Sequence, residues 1–143
     1  MITVLMGAPG AGKSTWVSRN ATDEHIFNTE GVRVNRDMDI GSYMHIQRVK
    51  AIKAVEGGKS LIADGTHTIT THRLVWINLA KRLELPTRLI VFPTDLTTLL
   101  NVQRTRQYPA PRNVVVDHYA RLKSAQLLIK KEGWDEIIYN QRY

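Results

Sequence analysis

A chain of 143 residues, 43% of them hydrophobic, is long enough to bury one core and too apolar for a disordered tail. Without cysteine it has no disulfide, thiolate zinc site or cysteine nucleophile, and no apolar run approaches the ~20 residues that cross a bilayer, so a cytoplasmic domain with no membrane partner is expected. The net charge of +7 favours anionic partners such as nucleic acid or nucleotide, although a modest basic excess also serves solubility alone.

In chain order, the first predicted strand is Ile2–Met6, so the N-terminus enters structure directly rather than through a signal peptide. Gly7-Ala8-Pro9-Gly10-Ala11-Gly12-Lys13-Ser14, followed by Thr15, then fits the pattern G-x-x-x-x-G-K-[ST] between that strand and a helix over Lys13–Ala21. Glycines let the backbone curl so that successive N–H groups converge on phosphate oxygens, and the helix adds its positive end. In this pattern Lys13 reaches the β- and γ-phosphates and the Ser14 hydroxyl ligates Mg²⁺.

Val32–Val34 is the second expected strand, and Asp37 follows it. A carboxylate at the carboxyl edge of a parallel sheet faces the same crevice as the glycine loop, where it is a candidate base for an attacking hydroxyl. The alternative is that Asp37 or Asp39 caps the helix expected over Ile40–Val55; Asp39 suits the cap better. That helix stops at Gly57-Gly58. After the third strand, Leu61–Ala63, Asp64 reads as a metal-side carboxylate or as part of a turn, with Thr66 and His67 on the crevice rim as acceptor-binding candidates. A helix over Thr71–Leu83 ends at Pro86 and precedes a strand over Leu89–Phe92.

The next helix, Leu96–Arg106, leads into Tyr108-Pro109-Ala110-Pro111-Arg112. Its arginines, Arg104, Arg106 and Arg112, are candidates for a lid over the phosphates, set against a merely solvated basic helix end. A last helix over Asn113–Lys131 closes at Gly133, before a strand at Glu136–Tyr139. Strand and helix alternate throughout, with no repeat or linker. One α/β domain over residues 1–143 is expected, a P-loop NTPase fold with a five-stranded parallel sheet between helices and a helical lid near 104–112.

Trp16, Trp76 and Trp134 read as core or half-core. Lys50, Lys53, Lys81, Arg82, Lys130 and Lys131 read as solvated faces, and the histidines lack the spacing of a zinc site. No guanine-reading N-K-x-D is present, and ring-forming motor ATPases are generally longer. The remaining parts suit transfer of a γ-phosphoryl group: a base, a metal-side carboxylate and a basic lid.

GAPGAGKSTW at 7–16, VNRD at 34–37, SLIADGTHTITTHRLVWINLAKRLEL at 60–85 and the lid ending in Pro111 to Val114 together resemble the 5′-kinase domain of bacteriophage polynucleotide kinases. The resemblance implies ATP and Mg²⁺ as cofactors and a 5′-OH end of DNA or RNA as acceptor, in host-cell cytoplasm. It implies Lys13 and Ser14 on the NTP phosphates and metal, Asp37 as general base, Asp64 as a residue needed for activity, and Arg104 or Arg106 on the transferring group. Where that family carries an arginine three residues after the base, this chain has Ile40, so Arg33, Arg36 or Arg48 becomes the candidate for holding the acceptor's phosphate. The alternatives are a kinase of a small molecule, nucleoside or modified DNA base, and a nucleotide-dependent binding protein that transfers nothing.

Overall fold

The computed structural model describes residues 1–28 and 39–140. Along the chain run β1 (Ile2–Met6), α1 (Lys13–Asn20), β2 (His25–Phe27), α2 (Ile40–Glu56), β3 (Leu61–Ala63), α3 (Thr70–Leu83), β4 (Thr87–Val91), α4 (Leu96–Gln103), α5 (Arg112–Ala125), a 3-10 turn (Ile129–Lys131) and β5 (Glu136–Tyr139). The strands form one parallel sheet in the order β2-β3-β1-β4-β5. The chain leaves β1 toward β3 and β2 on one side, then crosses to β4 and β5 on the other. That reversal leaves a crevice at the carboxyl end of β1, between β3 and β4.

Every residue of β1 and β3 is buried, which is why these strands read as unbroken apolar runs rather than alternating ones. One face packs Ile2, Val4, Met6, Ala63 and Leu89 against Ala51 and Val55 of α2 and Trp76 and Leu79 of α3. The other packs Leu5, Ile62, Ile90 and Phe92 against α1 and α4, through Trp16, Val17 and Leu99. Helix α5 joins both layers, with Val115 in the second and Leu122 and Ala125 in the first.

Four elements differ from expectation by more than a single residue. The strand that completes the sheet is His25–Phe27, whereas Val32–Val34 lies outside the described residues. The fourth strand starts at Thr87 rather than Leu89, because Arg88 is accommodated beside the sheet with its Nε donating to Thr3 Oγ1 at 3.3 Å. Helix α4 ends at Gln103, not Arg106, as the chain tightens into i→i−3 bonds, Arg104 N to Asn101 O and Thr105 N to Val102 O. The last helix stops at Ala125 and resumes only as the 3-10 turn, leaving Leu127 and Leu128 exposed. The Asp39 cap stands as expected: its carboxylate accepts from Ser42 N at 2.9 Å and Ser42 Oγ at 2.7 Å.

A buried ion pair locks α3 to the far end of the chain. Arg73 is fully buried, and its Nη2 lies 2.7 Å from Glu132 Oε2. Its Nη1 donates to the His67 carbonyl at 3.0 Å and Nη2 also donates to Thr70 Oγ1 at 3.2 Å, so a single guanidinium spans the turn after β3, the first turn of α3 and the segment before β5. Among the described residues, no helix is long and apolar enough to cross a membrane.

Candidate functional site

The glycine loop lies between β1 and α1. A peptide's N–H and C=O point in opposite directions, so a carbonyl tied on one side turns the next residue's amide to the other, except before Pro9, which has no N–H. Lys13 Nζ donates to the carbonyls of Gly7 at 2.7 Å and Ala8 at 2.9 Å, Gln103 Nε2 to that of Pro9 at 2.8 Å, and Thr94 Oγ1 to that of Ala11 at 3.3 Å. The loop's start is pinned from the other side, where Gly7 N donates to the Thr66 carbonyl at 3.0 Å. Gly10 and Gly12 take left-handed backbone, φ 93° and 101°, the conformation a side chain disfavours. A Cβ on Gly7 would also meet Phe92 Cβ at 2.9 Å. Gly12 opens α1, which places Lys13, half-buried, and Ser14, exposed, in its first turn.

Of the residues singled out in the sequence, the fold brings Gly7 to Thr15, Asp64, Thr66 and the segment 104–112 to one end of the sheet. Asp64 follows β3 directly, is buried to 9% exposure, and donates its amide to the Phe27 carbonyl at 2.7 Å. Asp37, Arg36 and Arg33 lie outside the described residues, as does the side chain of Ile40. The described second strand ends at Phe27, and the strand expected over Val32–Val34, with Asp37 after it, lies outside the described residues. In the basic segment, Arg104 and Arg112 are exposed, whereas Arg106 is half-buried and its Nη1 is buried without a hydrogen-bond partner. An orphaned guanidinium N–H is a cost that an arriving anion removes.

His67 departs from expectation most. It was expected on the crevice rim, yet it is 6% exposed with φ 47°. Its Nδ1–H donates to the Leu5 carbonyl at 2.8 Å and its Nε2 accepts from the Trp76 indole N–H at 3.0 Å, a pairing that needs the neutral ring. With both nitrogens engaged inside the protein, His67 supports the turn after β3 and has none to offer an acceptor. Burial, together with the charges of His72 and Lys13, pushes its pKa down to about 4 against the hydrogen bonds to the Leu5 and Gly65 backbone. A base whose pKa falls on folding binds its proton more readily when unfolded, so stability is full above about 6.5 and drains away as pH falls toward 4. The expected loss is about 3 kcal/mol over that window, read as a falling melting temperature. His67→Asn, which tolerates the left-handed backbone, should flatten that slope; an unchanged slope would place the titration elsewhere.

Three further contacts carry no motif in the sequence. Thr68 Oγ1 lies 2.7 Å from His118 Nδ1, linking the β3 turn to α5. Burial, Arg121 and Lys13 hold His118 below the usual histidine range. Gln103 and Thr94 are the others; each is a lone polar residue that only tertiary structure sets against the glycine loop. Beside α1, a cleft of about 390 Å³ is lined by Gly12, Thr15, Trp16, Arg19, Asn20 and Asn140. Trp16 is half-buried there, with the Arg88 guanidinium 5.8 Å above its ring. Trp76 is core, as expected of it, and Lys50, Lys53, Lys81, Arg82, Lys130 and Lys131 are exposed.

A parallel sheet in this order, with a glycine loop leaving its central strand and a basic segment between the two following helices, defines a P-loop NTPase fold of the kinase-like kind. The chain belongs to the family described as AAA domain, which matches residues 2–127. A bifunctional polynucleotide phosphatase/kinase of Schizosaccharomyces pombe is 34% identical over 89 residues, 62% of this chain and 20% of that protein, so the chain spans about a fifth of its relative's length. Among solved structures, deoxyadenosine kinase from M. mycoides with bound dATP is similar over 99% of this chain and 91% of its own, with TM-score 0.60 and 14% identity. The AvrRxo1-ORF1:-ORF2 structure with ATP is similar over 92% of this chain and 49% of its own, with TM-score 0.64 and 15% identity. At such identities these two share the fold.

Proposed function

We infer that this single domain transfers the γ-phosphoryl group of ATP to the 5′-hydroxyl of a DNA or RNA end. The observation that carries the reading is the 34% identity to a polynucleotide phosphatase/kinase, on a fold that gathers the glycine loop, Asp64 and the arginine segment at one sheet edge. The triphosphate lies in the loop, with backbone amides and Lys13 on its oxygens. Its base occupies the cleft beside Trp16, where Arg19, Asn20 and Asn140 supply polar contacts. The exposed hydroxyl of Ser14 and the carboxylate of Asp64 form an all-oxygen donor pair that suits Mg²⁺, which supplies neutralising charge when bound. Arg106 is the arginine assigned to the transferring group, because its guanidinium has an unmet donor; Arg104 and Arg112 act at the rim. Asp37 takes the acceptor's proton as its oxygen attacks phosphorus in line and the β–γ bridging oxygen departs on ADP. Thr66 and Arg36 remain candidates for holding the acceptor.

The deciding experiment supplies γ-labelled ATP and Mg²⁺ with two otherwise identical oligonucleotides, one ending in 5′-OH and one in 5′-phosphate, beside a panel of nucleosides. Label on the 5′-OH strand alone is expected. Label on a nucleoside but neither strand would move the acceptor to a small molecule, the reading that Ile40, standing where the resembled family has arginine, favours. Asp37→Asn should lower transfer by at least ~10²-fold while ATP affinity stays within a few-fold, since only the proton acceptor is lost. Full transfer by this variant would assign the base elsewhere.

A further inference from the structure

Gln103 sits at the last position of α4, only 8% exposed, with both ends of its amide committed. Its Nε2 donates to the Pro9 carbonyl at 2.8 Å, and its Oε1 accepts from the Ala110 amide at 2.9 Å. The first bond fixes the Pro9–Gly10 peptide with its Gly10 N–H directed away from Gln103. The second closes the chain from 103 to 110 into a ring that holds Arg104 and Arg106. One planar amide therefore fixes the glycine loop and the arginine segment to each other. The approach is close enough that a Cβ on Gly10 would lie 2.7 Å from Gln103 Nε2, so the glycine at position 10 answers to Gln103 as well as to its own φ of 93°.

We propose that Gln103 is a positioning residue that couples the phosphate-binding loop to the arginine segment, so that loop geometry sets where Arg106 stands. This rests on the nucleotide-binding reading above and adds a residue to it. A glutamine is needed because the two partners demand opposite roles: Pro9 offers only an acceptor and Ala110 only a donor, and a single amide supplies one of each. Thr94 holds the Ala11 carbonyl, but among the described residues its hydroxyl donates to the loop and not to the segment, so it can shape the loop without coupling it.

The two bonds can be cut separately. Gln103→Glu keeps the acceptor for Ala110 and loses the donor to Pro9, placing a carboxylate oxygen against a carbonyl oxygen. Gln103→Met, similar in length, loses both. ATP affinity is measured by calorimetry, and the arginine segment is read without nucleotide as the rate of tryptic cleavage after Arg104 and Arg106, with melting temperature recorded for each variant. In Gln103→Glu, ATP affinity is expected to fall about tenfold with cleavage unchanged. In Gln103→Met, affinity falls similarly and cleavage rises about tenfold. Affinity within twofold of the parent in both variants would overturn the proposal. So would equal loss in both readouts that merely tracks the drop in melting temperature. If the parent protein itself binds no ATP, the nucleotide reading fails on its own, and the cleavage ratio between the two variants still decides whether Gln103 tethers the segment.

Discussion

Lys13→Ala is expected to lower γ-phosphoryl transfer, to any acceptor including water, by ~10³-fold or more. The Lys13 ammonium bridges the carbonyls of Gly7 and Ala8 at 2.7 and 2.9 Å. This arrangement holds a cation against the loop's own backbone. A triphosphate offers oxygens that carry full negative charge, a stronger partner than two neutral carbonyls, so the ammonium exchanges one set for the other with little reorganisation. Alanine removes the charge when it is needed most, as electron density shifts onto the leaving phosphate. It also removes two hydrogen bonds from the loop, but these are half-buried and water can take them over, so the fold should survive and melting should change by only a few degrees. Lys13→Arg should fail almost as badly, because a planar fork does not fit where a compact point charge sat.

The same substitution has a signature independent of activity. The positive charge of Lys13 is one of the causes, after burial and Arg121, that hold His118 below its usual range, so in Lys13→Ala the His118 pKa should rise. Histidine ring resonances followed by NMR against pH would show it. Retention of more than a tenth of wild-type transfer, with the His118 titration unmoved, would mean that Lys13 does not hold the position read for it.

How much of this was legible in the sequence depended on how local the cause was. The glycine loop, its strand and its helix follow from residues adjacent in the chain, and β1 and β3 match expectation to the residue, because a strand buried on both faces must be apolar along its whole length; β5 matches too, although its ends, Glu136 and Tyr139, are exposed. The edge strand β2 escaped notice for the converse reason. His25 and Ile26 are only half-buried, so the run was too short and too polar to compete with Val32–Val34. His67 misled because Asp64-Gly65-Thr66-His67 lies at the right sheet edge, and nothing in the sequence says that the ring turns inward to Trp76. Gln103, Arg73 and Glu132 gave no signal. Their roles arise from partners distant in sequence, Pro9 for the first and each other for the pair, and a lone polar residue in a helix ordinarily reads as solvated surface.

Arg73→Met is expected to destabilise the fold by about 3–5 kcal/mol, because it leaves the Glu132 carboxylate without its counter-charge in a nearly dry site. Glu132 is 8% exposed at the side chain and accepts from Arg73 Nε and Nη2 and from the Trp134 indole N–H, at 3.0, 2.7 and 3.0 Å. Burial pushes its pKa up, but the Arg73 and Trp134 hydrogen bonds and the Arg73 charge outweigh burial and leave it below the ordinary 4.5. A carboxyl depressed on folding stabilises above its unfolded pKa and loses that contribution as pH falls through the folded one, so the bridge weakens only in acid below about 4.5. This window lies below most of the His67 window, and Glu132→Gln should abolish the lower without touching the upper. The pair also reaches the site. Arg73 holds the His67 carbonyl at 3.0 Å, and the neighbouring Thr66 carbonyl receives the Gly7 amide that starts the glycine loop. Arg73→Met should therefore weaken nucleotide affinity along with stability. Arg73→Met combined with Glu132→Met should recover much of the stability, since no charge is then stranded, but not the affinity, since the His67 carbonyl still lacks its donor. Denaturant unfolding and calorimetric titration of the single and double variants separate these outcomes. A double variant that regains both would make the pair a matter of stability alone, with no hold on the loop.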